Sequence, residues 1–146
     1  MAPSNNEATY RRIIEEGFNQ GNLAVADELV GANAIEHQRG GAGNGPEGLK
    51  RTISILRSAF PDFTLTITEL VAVGDKVWAM QKGGGTNLGS FAGQPPTGRQ
   101  AFIDVIDVCR FEDGKMVEHW GVPDQLGMMM ALGHITPPAR VAPVTA

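Results

Sequence analysis

The chain has 146 residues, 42% of them hydrophobic and 19% charged, which fits one globular domain and excludes a largely disordered protein. Its net charge of −4, with scattered basic residues, argues against nucleic-acid binding, and no apolar run approaches the roughly 18–20 residues of a membrane span. The single Cys109 excludes an internal disulfide, and the first residues lack the pattern of a secretory signal, so we expect a cytoplasmic protein.

Helical periodicity dominates the N-terminal part of the chain. Apolar residues recur at helical spacing over Asn6–Phe18, and a second helix is predicted over Asn22–Val30, since Asn is a good N-cap. A glycine-rich loop at Gly40–Gly45 precedes the third helix, which we place at Glu47–Phe60 because Pro61 stops it. Three helices are therefore predicted before the first strand.

Period-two alternation then replaces the helical pattern and predicts an antiparallel meander of four strands. The strands are expected at Phe63–Thr68, Val77–Met80, Ala101–Phe111 and Met116–Val122. Gly83-Gly84-Gly85 indicates a bulge or bend in the second of them, because glycine weakens a regular ladder. A short helix over Gln125–Leu132 follows, and the tail His134–Ala146 is expected to fray.

Helices followed by a meander predict the α+β class, with the N-terminal helices packed on one face of a curved antiparallel sheet. Glycines bend such a sheet and the helices close it, so we expect a cone-shaped pocket between the two layers. Residues 1–133 would form this single barrel-like domain, and residues 134–146 would be its proline-rich tail.

The Asp113-Gly114 turn, a strong hairpin signal, predicts how the last two strands pair. With two residues in the turn, Glu112 pairs with Lys115 and Val108 lies opposite His119. Two groups of polar or aromatic residues then occupy opposite faces, and only a bulge would unite them. These groups are Arg110 with His119 on one face, and Asp107, Cys109, Glu118 and Trp120 on the other.

Several short segments, in order between about residues 10 and 133, together resemble the SnoaL-like polyketide cyclases. The segments are Gly48-Leu49-Lys50, Ala59-Phe60-Pro61-Asp62, Gly74-Asp75-Lys76-Val77, Gly85-Thr86, Gly89, Phe91, Gly93, Pro95-Pro96-Thr97-Gly98-Arg99, Arg110-Phe111, Asp113-Gly114-Lys115, Glu118-His119-Trp120, Asp124 and Leu132-Gly133. That family belongs to a broader group related to nuclear transport factor 2 and ketosteroid isomerase. The resemblance therefore also implies a nuclear transport factor 2-like fold.

The resemblance implies an enzyme that closes a ring in an aromatic polyketide ester by an intramolecular aldol reaction. It implies no metal, no organic cofactor, a small hydrophobic or aromatic substrate, and a homo-oligomer, dimer or tetramer, paired through outer sheet faces. Two positions depart from the family pattern: Asn87 stands where a histidine is common, and Met80 stands where an arginine is often found. Either change could alter the polar lining of the pocket and hence the chemistry.

Asp124 is the residue that the resemblance implies as general base. It directly precedes the last predicted helix, where an aspartate is also a preferred N-cap, and the two roles are compatible. At the mouth of an apolar cone, desolvation would strengthen a carboxylate as a base toward an activated carbon acid. Holding both ends of one substrate chain in register would supply much of the rate.

Other polar residues are predicted to assist the base. His119 is a candidate hydrogen-bond partner or acid, and Arg110 could stabilise an enolate oxygen, although each could equally make an ordinary structural contact. No close-spaced ligand motif predicts a metal site. The residues predicted to bind substrate are His37, Asn87, Trp120, Phe18, Met80 and Asp107.

Two other functions fit the same sequence features. The cone could house the addition of water to a small apolar substrate such as an epoxide, with a carboxylate positioning the water and an acid on the ring oxygen. It could also bind a small ligand or partner protein without catalysis, since a fold does not determine a function.

Overall fold

The structure is a computed structural model, and it describes residues 5–140. The helices are α1 (Asn5–Arg12), which continues as a π-helical segment (Ile13–Asn19), α2 (Ala24–Leu29), α3 (Gly45–Ala59) and α4 (Gln125–Ala131). The strands are β1 (Val30–Glu36), β2 (Thr64–Val73), β3 (Lys76–Thr86), β4 (Gln100–Glu112) and β5 (Lys115–Pro123). The end of the predicted tail, residues 141–146, lies outside the described residues. No helix within residues 5–140 is long and apolar enough to cross a membrane.

Five strands form one curved, unclosed sheet in the order β1-β5-β4-β3-β2, and the predicted α+β class is confirmed. The helices cover its inner face, and the core lies between the two layers. The largest fully buried side chains of this core include Tyr10, Ile14, Ile53, Phe60 and Val77. The outer face of the sheet carries no helix in the described part of the chain.

The helices and the four-strand meander lie where the sequence predicts them, but the first strand of the sheet is not predicted. Val30–Glu36 shows no period-two pattern, and it pairs in parallel with β5, whose sequence is distant. Its register shifts between Val30 and Ile35, so its buried positions do not alternate. The prediction of a purely antiparallel four-strand sheet is therefore wrong at this edge.

Gly83-Gly84-Gly85 does not mark a bulge, because β3 pairs with β4 in unbroken register through all three residues. The register shift in β3's other pairing, with β2, lies elsewhere, between Ile67 and Glu69. These glycines instead permit close approach of neighbouring chain. A Cβ atom on Gly84 would lie 1.9 Å from the carbonyl oxygen of Ala101, so no larger residue fits there.

The π-helical segment is fastened at its C-terminal end by two side chains. Arg57 Nη1 donates to the carbonyl oxygens of Phe18 and Asn19, each at 3.0 Å. The Asn19 side chain donates to Leu65 O at 3.0 Å and accepts from Leu65 N at 2.7 Å, which ties the segment to β2. This attachment fixes Phe18 on the wall of the cavity described below.

Candidate active site

A cavity with two lobes lies between the helices and the inner face of the sheet. The larger lobe has a volume of about 210 Å³ and the smaller lobe about 60 Å³. Both lobes are lined mainly by apolar side chains, and Asp107 and His119 line both. The apolar residues of the larger lobe include Phe18, Leu56, Phe60, Phe63, Phe91, Ile103, Val105 and Met128. The two polar residues therefore stand where the lobes meet.

Asp107 projects inward from β4 and is held by three donors. Its Oδ2 accepts from the Tyr10 hydroxyl at 2.9 Å and from Gln81 Nε2 at 2.8 Å. Its Oδ1 lies 3.2 Å from His119 Nε2. Burial, and next the negative charge of Asp107, raise the pKa of Tyr10 well above its ordinary value, so the hydroxyl stays protonated and keeps donating.

His119 lies between two carboxylates. Its Nδ1 is 2.8 Å from both carboxylate oxygens of Glu36, and its Nε2 faces Asp107. Burial by itself lowers the pKa of His119, but the hydrogen bonds and charges of Asp107 and Glu36 outweigh it and raise the pKa to about 10. The ring is therefore an imidazolium at neutral pH, with a donor on the cavity wall.

A β-bulge places His119 on the inner face. Glu112 pairs with Lys115 as predicted, and the turn residue Asp113 has a left-handed φ of +49°, typical of the tight hairpin. The register then shifts, because Val117 is an extra residue between the pairs formed by Met116 and Glu118. Cys109, not Val108, consequently lies opposite His119. The predicted separation of His119 from Asp107 is wrong for this reason.

Asp124 lies outside the cavity lining. Its side chain is exposed and caps α4, with Oδ1 accepting from Gly127 N at 2.8 Å. The N-cap role weighed from the sequence is thus present in the structure. The carboxylates that the structure does bring next to His119 are Asp107 and Glu36.

Four other predicted site residues lie on the outer face of the sheet or beside it. Arg110 contacts Glu118 and Glu112 there, on the opposite side of the sheet from His119. The ring of His37 stacks on that of Trp120 with centroids 4.6 Å apart. Met80 is 43% exposed on the same outer face. None of these residues lines either lobe in the described part of the chain.

Asn87 is fully buried, and its side chain holds together the loop that follows β3. Its Nδ2 donates to Gly89 O at 2.8 Å, and its Oδ1 accepts from Thr97 N at 2.9 Å. Asn87 lies outside the cavity lining, so the structure does not place it against a substrate. Of the residues predicted to bind substrate, Phe18 and Asp107 line the cavity.

Hydrogen bonds connect a cluster of five polar residues: Tyr10, Glu36, Gln81, Asp107 and His119. The first three of these are absent from the sequence-based prediction. Tyr10 has the spacing of an ordinary core residue on the first helix, and Gln81 is the buried polar residue of an otherwise apolar strand face. Glu36 is the last residue of β1, the strand that the sequence does not predict. A buried-face position for Gln81 was the one available signal, because polar residues that alternate with core positions need partners.

Comparisons with known proteins agree with this architecture. The family model for the SnoaL-like polyketide cyclases matches residues 8–132. Over 134 residues, the chain is 30% identical to the aklanonic acid methyl ester cyclase DnrD of Streptomyces peucetius, covering 87% of this chain and 90% of that one. It is 28% identical to the enzyme of the same name, DauD, of Streptomyces sp. (strain C5), covering 87% and 81%. The structure of TsrD from Streptomyces laurentii superposes with a TM-score of 0.83 at 26% identity, covering 92% and 99%.

Proposed function

The chain belongs to the SnoaL-like polyketide cyclase family, and we propose that it closes a ring in an aromatic polyketide ester with Asp107 as base and His119 as acid. The observation that carries the assignment is the 3.2 Å contact between Asp107 Oδ1 and His119 Nε2 where the two apolar lobes meet. Names of the two curated relatives support an ester as substrate.

The first step is removal of a proton from the carbon between two carbonyl groups of the substrate. Asp107 accepts this proton, because it is a carboxylate on the wall of the cavity. The resulting enolate carries negative charge on oxygen, and the His119 imidazolium stabilises that charge between the apolar walls of the cavity.

In the second step, the enolate carbon attacks a carbonyl carbon further along the same substrate and forms the new C–C bond. The carbonyl oxygen becomes an alkoxide and takes the Nε2 proton of His119. Asp107 then returns its proton to His119 across their contact, so the pair ends as it began. One C–H bond and the π bond of the attacked carbonyl are broken, one C–C bond and one O–H bond are formed, and no other reactant is needed.

The apolar walls supply the remaining requirement, a folded substrate. Four phenylalanines line the larger lobe, and the rings of Phe60 and Phe91 meet edge to face with centroids 5.3 Å apart. Aromatic walls of this kind suit a flat aromatic substrate. The cavity would hold the two reacting parts of one substrate chain close together. Binding energy would then offset much of the entropic cost of bringing them into contact.

The reaction type is tested with aklanonic acid methyl ester in heavy-oxygen water. We expect a product of the same mass as the substrate, with no label beyond that of a product incubated without enzyme, because aldol closure adds no water. Mass spectrometry of the purified product is the measurement. One labelled oxygen per turnover would instead identify a hydrolase, and binding without turnover would identify a binding module.

We also infer that the outer sheet face pairs with the same face of a second copy. On this face Met80, Ile106 and Val122 are neighbours across three strands and are 43–70% exposed. Beside them, Lys82 and Asp104 form an ion pair at 2.8 Å, so these neighbours of the apolar patch have their charges paired within one chain. Exposed apolar patches of several hundred Å² are typical of such interfaces.

The substitution Ile106→Lys is expected to convert this dimer, or higher oligomer, into a monomer, since it places an unpaired charge in the centre of the apolar face. Sedimentation velocity measures the change. Leu88→Lys is the matched control, because Leu88 is 61% exposed but lies in the loop after β3. A wild-type protein that sediments as a monomer would contradict the inference.

A further inference from the structure

Glu36 is the residue that contacts His119 from the side remote from Asp107. It ends β1 and pairs with His119 in the parallel ladder with β5. Both of its carboxylate oxygens lie 2.8 Å from His119 Nδ1, and its side chain is only 20% exposed. An imidazole with a carboxylate at each nitrogen donates from both, so the ring is held in one orientation and in its charged form.

We propose that Glu36 is a positioning residue of this enzyme, which fixes His119 as an imidazolium with Nε2 directed at Asp107 and the cavity. The inference rests on the proposed function for the use that is made of His119. Glu36 does not touch the reacting atoms in this account. It acts through His119, at the ring nitrogen that faces away from Asp107.

The glycine-rich loop that precedes α3 explains why Glu36 stays in place. Gln38 N donates to Glu36 Oε1 at 2.7 Å, and Glu36 N donates to Asn44 Oδ1 at 2.9 Å. A Cβ atom on Gly41 would lie 2.6 Å from Glu36 Cγ, so the absence of a side chain there leaves room for the carboxylate. The segment that runs from Gln38 to Asn44 therefore holds Glu36 from one side, while His119 contacts it from the other.

Other titratable groups near His119 do not add charge. Cys109 lies directly opposite His119 on β4, and burial, then Asp107 and Glu36, raise the pKa of its thiol well above the ordinary value. Tyr10, from α1, also stays neutral. Of the described residues that line the two lobes, none is Lys or Arg. The two carboxylates are therefore the charges that set the protonation of His119.

The test is an NMR titration of His119 in the resting protein, together with the pH profile of kcat/KM. Glu36→Gln removes the negative charge, although its amide oxygen can still accept from Nδ1–H, so we expect the pKa of His119 to fall by about 1–3 units. The alkaline limb of kcat/KM should move to lower pH by the same amount. Glu36→Asp keeps the charge, and should retain most of the elevation even if the glutamine variant folds poorly.

The matched control is Glu118→Gln, which also removes a carboxylate beside a histidine. Glu118 contacts Arg110 and His37 on the outer face, so its loss should leave the titration of His119 and the rate profile unchanged. An unaltered His119 titration in Glu36→Gln overturns the inference whatever the activity. A lowered titration with an unmoved rate profile upholds control by Glu36 and overturns instead the role of His119 as the acid in the proposed reaction.

Discussion

Replacing Asp107 with Asn should lower kcat for ring closure by about 10²–10⁴-fold, the usual contribution of a general base, with little change in KM. The amide has the shape of the carboxylate but cannot accept a proton from carbon. Its oxygen can still accept from Tyr10 and Gln81, so the core around it should remain folded. Steady-state kinetics with aklanonic acid methyl ester, alongside a thermal unfolding curve, measures both effects.

Asp124→Asn is the matched partner of that substitution, because it makes the same chemical change at the aspartate that the family resemblance implies as base. Asparagine is as good an N-cap as aspartate, so α4 should keep its cap. We expect near-normal kcat in this variant, since Asp124 is exposed and does not line the cavity. Loss of activity in Asp124→Asn together with retained activity in Asp107→Asn would reverse the assignment.

Removing His119 should have the largest effect on stability. In His119→Ala the carboxylates of Glu36 and Asp107 lose the cation between them, which should cost about 3 kcal/mol at neutral pH. This lies at the lower end of the cost of breaking a buried pair, because 18% of the His119 side chain is exposed. Urea denaturation measures the difference in unfolding free energy.

The stabilisation by His119 should also depend on pH, and its direction follows from the raised pKa of the ring. The pKa of His119 is raised from 6.5 to about 10 in the folded protein, so its stabilisation is complete below pH 6.5. Above that pH the unfolded chain releases the proton first, and the stabilisation declines until the pH passes about 10. Wild-type protein should thus lose stability over this interval, and His119→Ala should lack that slope.

His37→Ala provides the comparison, because His37 also neighbours a carboxylate but is 37% exposed. Exposed ion pairs contribute about 0–1 kcal/mol, so its loss should be small and should leave the alkaline slope in place. Equal costs for the two histidines would show that the cluster around His119 does not stabilise the fold.

Most of the fold is predictable because its signals are local. Proline and glycine punctuation places α3, period-two alternation places β2 and β4, and Asp113-Gly114 places the hairpin. The strand β1 is the exception, since its residues neither alternate nor neighbour their partner strand in sequence. Parallel pairing with a strand distant in sequence produces no short-range pattern from which it could be predicted.

The site is predictable only in its parts. The sequence identifies His119 and Asp107 as candidates but predicts them on opposite faces of the sheet. The bulge at Val117 causes this error, because no residue pattern around Val117 indicates a bulge. Tyr10 reaches Asp107 across 97 residues of sequence, and such a contact depends on the whole fold. The family resemblance favours Asp124 as the base, whereas its local geometry is that of a helix cap.

The bulge at Val117 also determines which residues of β5 form the inner wall of the cavity. If the same residues paired without the bulge, Val108 would lie opposite His119. Glu118, Trp120 and Val122 would then face inward in place of His119, Gly121 and Pro123. A change of register alone would therefore exchange the inward-facing residues of this strand without substituting a single side chain.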